Sequence, residues 1–196
     1  AVTGVQTCAL PICSNNYGQL GRLDHMLSYS SPVQVGSSTW IGVSAGNNSI
    51  GVIASDNTLW TWGDNTYGQL GLGYQGSYLT NPTYPVLDAG VYTLYCTVIS
   101  SSLESNYMTA IDSTNSLWTW GDNTYGQLGT NDQNPYYYPA KIGNSTWTTV
   151  SAGNNHTSAI RSDGILFAWG DNGAYQLGTG DTTLRSEEHT SELQSR

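Results

Sequence analysis

Positive charge is the first thing this sequence lacks: 5 Lys and Arg stand against 14 Asp and Glu in 196 residues, a formal net charge of −9. Nucleic-acid binders draw most of their affinity from clustered cations, so neither a phosphate-binding surface nor a nucleic-acid partner is expected. Long apolar runs are missing too. No stretch approaches the ~18 uninterrupted apolar residues of a spanning helix, and no membrane segment is read. There is no P-loop, HExxH, nucleophile elbow or paired-cysteine motif, so the chain is expected to be no enzyme and to hold no cofactor or metal. Charged residues make up only 10% of the chain, but it carries 7 Trp, 14 Tyr and 23 Gly. Disordered chains are poor in aromatics, which excludes that class. An acidic all-β protein remains.

Both ends stand apart from the rest. Residues 2–12 (VTGVQTCALPI) and 185–195 (RSEEHTSELQS) each resemble a translation of the adapter used in short-read DNA libraries, one from each strand. Residues 1–12 and 185–196 are therefore expected to be extraneous, leaving 13–184 as a fragment of a longer gene. The Glu187, Glu188 and His189 group then carries no chemistry. Cys8 and Cys13 fall in or beside the first stretch, and Cys96 alone cannot form an internal disulfide.

The remainder is a repeat array. WGDNTYGQLG occurs identically at 62–71 and 120–129, WGDNGAYQLG at 169–178, and NYGQLG at 16–21. The signature glutamines are Gln19, Gln69, Gln127 and Gln176, spaced by 50, 58 and 49 residues. A second block precedes the signature, at 39–60 and again at 146–167. The repeats therefore divide as a partial unit to residue 21, then 22–71, 72–129 and 130–178. Apolar runs at 43–45, 50–54 and 59–62 are broken by Gly46, Ser55-Asp56-Asn57 and Gly63, and the last repeat turns at Asp163-Gly164, a strong hairpin signal. Short strands at a period near 50 are the pattern of propeller blades. The expected fold is a partial β-propeller of about three four-stranded blades.

The blocks W-x-x-VSAG-x-x-H-T, DG-x-L-x-x-WG-x-N and GQLG resemble the regulator of chromosome condensation (RCC1) repeats, and the resemblance spans essentially all of 13–184. It implies a parent propeller of seven blades. The family's namesake is an exchange factor for a small nuclear GTPase that docks on chromatin. Its light-sensing plant branch carries GWRHT where this chain reads AGNNHT, so photoreception is not expected.

The repeated positions are read as architecture. Trp62, Trp120 and Trp169 are expected to pack between blades. Gly63, Gly121 and Gly170 follow them in a turn, and Gly71, Gly129 and Gly178 close the signature with positive φ or close backbone approach. Gln69, Gln127 and Gln176 are assigned to loop backbone groups, and Asp64, Asp122 and Asp171 to their own turns. His156 matches the family's histidine position, with Ser49 and Tyr107 in the other repeats, and is read as a packed or surface residue.

Function is expected where the repeats differ, because variable loops on a rigid scaffold carry recognition. Segments 72–85, 94–106 and 130–139 are read as rim loops. Tyr74, Tyr78, Tyr84, Tyr136, Tyr137 and Tyr138 are the candidate contacts, since Tyr gives amphipathic contact area at low entropy cost. The leading reading is a non-enzymatic scaffold binding a protein, possible classes being a small GTPase or a cell-surface or glycan target; the alternative is a small-GTPase exchange factor. Extracellular or cell-surface residence is favoured over cytoplasmic.

Overall fold

The computed structural model describes residues 13–21, 28–29, 31–32, 34–83 and 93–190, and Tyr84 and His25 lie outside them. Among the described residues the only regular structure is strand. A two-stranded ladder of β1 (Cys13–Ser14) and β2 (Ser28–Tyr29) precedes three four-stranded antiparallel sheets. The first sheet is β3 (Trp40–Ala45), β4 (Ser49–Ala54), β5 (Leu59–Asn65) and β6 (Gly76–Thr83). The second is β7 (Cys96–Ser100), β8 (Tyr107–Asp112), β9 (Leu117–Gly121) and β10 (Tyr136–Lys141). The third is β11 (Trp147–Ala152), β12 (His156–Arg161), β13 (Leu166–Gly170) and β14 (Arg185–Thr190). In each, strands pair in chain order, as in a propeller blade running from its innermost to its outermost strand. The expected three-bladed partial propeller is what the chain forms.

Local chemistry explains the hairpins. The turn between second and third strands needs a residue with φ > 0, and Asn57 (φ 67), Asn115 (φ 64) and Gly164 (φ 88) supply it at equivalent places. Every innermost strand shifts register at one point, at Trp40/Gly42, Cys96/Val98 and Trp147/Thr149. In the first two blades the middle strands are apolar on both faces because each lies between two neighbours. Ile53 and Leu59 of blade one join Met108, Ala110 and Trp120 of blade two in one cluster. Ile111 and Leu117 of blade two join Trp147, Val150, Phe167 and Trp169 of blade three in the next.

The blades are out of phase with the sequence repeats. The signature ends the third strand and forms the loop after it, so each outermost strand comes from residues beyond it. Consequently the segments read as rim loops are not wholly loops. β6 lies within 72–85, β7 within 94–106, and β10 begins inside 130–139. Outer strands pair on one edge only, which weakens the repeated apolar pattern by which inner strands are recognised. Residues 185–190, set apart in the sequence, form the outer strand β14 of blade three.

Candidate partner-binding face

Strand alternation sends two loops of each blade to one end: the loop between first and second strands, and the signature loop between third and fourth. The signature loop is built rigidly. After the Trp strand the chain turns through Gly63, Gly121 and Gly170 at φ 105, 107 and 105. A Cβ there would run into the carbonyl oxygens of Asn48, Asn106 and Asn155, so glycine is required twice over. Asp64 Oδ1 accepts from the amide and hydroxyl of Thr66 (2.9 and 2.6 Å), and Asp122 does the same with Thr124. Asp171 accepts from the Gly173 amide at 2.9 Å. Gln69 and Gln127 use Oε1 to accept from the amides of Tyr67 and Tyr125, both at 2.8 Å, and Gln176 accepts from Ala174 at 2.7 Å. The side chains of Asn65, Asn123 and Asn172 accept from Leu70, Leu128 and Leu177 across the same loop.

Main-chain carbonyls of the signature glutamines Gln19, Gln69 and Gln127 tie the blades together. The indole N–H of Trp62 donates to Gln19 O at 2.9 Å, that of Trp120 to Gln69 O at 2.8 Å, and that of Trp169 to Gln127 O at 2.9 Å. Each Trp is buried in the process. Gly129 is backed by the Trp169 ring and Gly21 by the Trp62 ring, while a Cβ on Gly178 would meet nothing. The indole N–H of buried Trp147, at a different position, finds no hydrogen-bond partner.

Of the sequence-derived candidates, Tyr74 and Tyr78 are exposed at this end. Tyr78 meets Tyr17 edge-on, with ring centroids 6.2 Å apart. Tyr136, Tyr137 and Tyr138 are half-buried on β10. Tyr136 donates to Asp132 Oδ2 at 3.0 Å; its own burial and that carboxylate raise its phenol above the ordinary value. Burial pushes the Asp132 carboxyl up, but hydrogen bonds from Asn134, Tyr136 and Thr130 outweigh it and hold it below the usual carboxylate value. Tyr137 and Tyr138 lie over Gly68 and Gly73 of the preceding blade's loop, and Gly73 N donates to Tyr137 O at 2.8 Å. β10 therefore closes the seam with blade one.

Sequence reasoning missed other residues. Tyr17, Tyr67 and Tyr125 of the signature are exposed, as are Tyr175 and Leu103. Of the exposed tyrosines among the described residues, all but Tyr95 stand at this one end. Leu103 is 76% exposed on a loop of residues 101–106, where the equivalent loops span 46–48 and 153–155. That loop is fixed from within: Ser102 N donates to Ser105 Oγ at 2.9 Å, and Ser105 Oγ to Ser102 O at 2.9 Å. Glu104 accepts from Asn154 of the next blade at 3.1 Å. The 58-residue spacing and the interruption of VSAGNN by SSLESN were the available signals.

Two further groups of reactive type are packed into the fold. The Cys96 thiol is buried, and burial together with the Asp112 carboxylate pushes it well above its ordinary value. The half-buried His156 ring lies over Gly153; burial lowers its imidazole while Asp171 opposes the shift. Among the described residues no group of three His, Cys, Asp or Glu could hold a metal ion.

Comparison with known proteins agrees with this geometry. One family model, described as the regulator of chromosome condensation (RCC1) repeat, matches residues 56–91 and 115–160, and a second with the same description matches 40–69 and 147–176. The probable E3 ubiquitin-protein ligase HERC4 of Rattus norvegicus is 32% identical over 87 residues, 44% of this chain and 8% of the relative. The E3 ubiquitin-protein ligase HERC2 of Homo sapiens is 28% identical over 122 residues, 57% of this chain and 2% of the relative. Among solved structures, human WBSCR16 superposes with a TM-score of 0.75 at 20% identity, covering 90% of this chain and 45% of that one. Prp20p from Saccharomyces cerevisiae, described with its binding properties to Gsp1p and histones, gives 0.74 at 19% identity, covering 92% and 45%. The chain thus spans under half of these structures and under a tenth of these ligases.

Proposed function

We propose that this chain, which belongs to the regulator of chromosome condensation (RCC1) repeat family, is a non-enzymatic scaffold that binds a protein partner through the signature-loop end of its blades. The observation that carries the reading is the gathering of exposed rings there: Tyr17, Tyr67, Tyr74, Tyr78, Tyr125 and Tyr175. Each of these loops is internally hydrogen-bonded, so the rings are presented with little left to order on binding, which favours affinity. Leu103 adds an aliphatic projection from a loop at the same end of blade two. Aromatic anchors of this kind dominate protein interfaces.

The test is a partner recovered by cross-linking from the native source, titrated against variants. The triple variant Tyr67→Ala/Tyr74→Ala/Tyr125→Ala is expected to weaken binding at least ~10-fold, about 1.4 kcal/mol, while Tyr95→Ala at the opposite end leaves it unchanged. The reverse pattern would overturn the reading.

A second reading is acceleration of nucleotide release from a small GTPase, supported by the structural likeness to Prp20p, which has been characterised with Gsp1p. Release of labelled GDP from Gsp1p separates the two. Clear acceleration by this chain replaces the scaffold-only reading.

A further inference from the structure

At three places the signature turn is pressed from behind by the outer strand of the following blade. A Cβ on Gly18 would stand 2.7 Å from the Cα of Thr80 on β6, and one on Gly126 2.6 Å from the Cα of Ser186 on β14. On Gly68 it would strike the Tyr137 ring on β10. Real Cβ atoms do not approach main chain that closely, and φ values of 69, 77 and 72 at these glycines add a second demand for glycine. The outer strands also bond here, with Gly73 N donating to Tyr137 O and Asn131 N to Ser186 O, each at 2.8 Å.

The fourth turn departs from this. Its main-chain bonding is the same: Tyr175 N donates to Asn172 O at 3.1 Å, as Gly68 N does to Asn65 O at 3.1 Å and Gly126 N to Asn123 O at 2.9 Å. Residue 175 therefore occupies the glycine position. It is a tyrosine at φ 63 and 61% exposed. A bulky residue in the left-handed region is an outlier, and such strain concentrates at functional positions.

We infer that Tyr175 is a built-in break in the outer layer of the propeller. With a Cβ at this position, no following unit can seat its outer strand at the depth where Thr80 and Ser186 sit. A unit docking after blade three would have to join through its inner strands, because its outer strand would meet the Tyr175 side chain. This goes beyond the binding role proposed above and does not depend on it.

The test transplants the feature within the chain. Gly126→Tyr puts the same residue where a seated outer strand is present. Amide exchange is expected to quicken at least ~10-fold in β14 while β12 keeps its protection. No change, or a loss spread evenly over both strands, overturns the inference. Tyr175→Gly relieves the strained φ without costing a seated strand, so the thermal midpoint is expected to rise by about 2–4 °C. A fall would mean that the ring is held by contacts of its own, which equally overturns it.

Discussion

Two clasps hold the same pair of blades together, and they are built differently. The inner one is the Trp120 indole, buried among Met108, Ala110 and Ile53 and donating to the Gln69 carbonyl. It recurs with the same atoms at Trp62 and Trp169. The outer one is β10 laid over the loop of blade one, with Tyr137 and Tyr138 above Gly68 and Gly73. Its counterparts use Thr80 and Ser186, so it conserves a main-chain approach and no side chain. The inner clasp gets its strength from a large buried ring and a hydrogen bond, and the outer clasp from the absence of a side chain opposite it.

The largest expected effect breaks the inner clasp. Trp120→Ala should destabilise the chain by about 3–5 kcal/mol, the range for removing a buried ring, and Trp169→Ala by a similar amount. Denaturant unfolding measures it, and a loss under ~1 kcal/mol at either site would place that Trp outside a core. The outer clasp should break with a much smaller chemical change. Gly126→Ala adds one methyl group, yet it meets the Ser186 main chain and a φ of 72, at an expected cost of about 2–3 kcal/mol.

Much of this was legible in the amino acids, for a physical reason. An inner strand has a blade on each face, so Leu59-Trp60-Thr61-Trp62 and Leu117-Trp118-Thr119-Trp120 must satisfy the same neighbours and come out alike. The signature loop repeats because Gly63, Asp64, Asn65 and Gln69 solve one turn many times. The outer strands GSYLTNPT and YYYPAK have one paired edge only, so less forces them to agree, and they lie in or run out of segments that read as loops; RSEEHT falls in the end stretch set apart in the sequence. The proposed binding face was half legible. Tyr74 and Tyr78 stood out as variable, whereas Tyr67 and Tyr125 were absorbed into the repeated signature although their rings point outward. Tyr175 required the structure, because only the strand behind Gly68 and Gly126 shows what a side chain there obstructs.

Between the clasps and the surface lies a polar fastening, whose pH dependence can be signed. In the turn of blade two, Asp112 accepts from Thr114 N and Oγ1, Ser116 N and the Trp118 indole at 2.6 to 2.9 Å. Burial raises its carboxyl, but those hydrogen bonds outweigh burial and hold it below the ordinary value. Stability from this group is therefore present above the unfolded value of about 3.9 and is lost as pH falls through the lower folded value. Asp112→Ala should cost about 2 kcal/mol at neutral pH, with the deficit against the native chain shrinking in acid. A deficit that stays constant down to pH ~2 would show that the charge is not what the turn uses.

The smallest effect sharpens the comparison by leaving both clasps alone. Tyr67 and Tyr125 give only their main-chain amides to the loop, bonded to Gln69 and Gln127, and any residue but proline supplies that amide. Their rings are exposed. Tyr67→Ala and Tyr125→Ala should therefore shift stability by no more than about 0.5 kcal/mol each, the ordinary range for surface positions. Tyr138→Ala, whose ring covers Gly73 in the outer clasp, should cost about 1–2 kcal/mol. If the two signature tyrosines proved as costly as Tyr138, their rings would belong to the seam, and a stability argument would replace recognition as the reason they recur. If they are silent in unfolding, the fold does not need the rings, which is what the proposed recognition role requires of them.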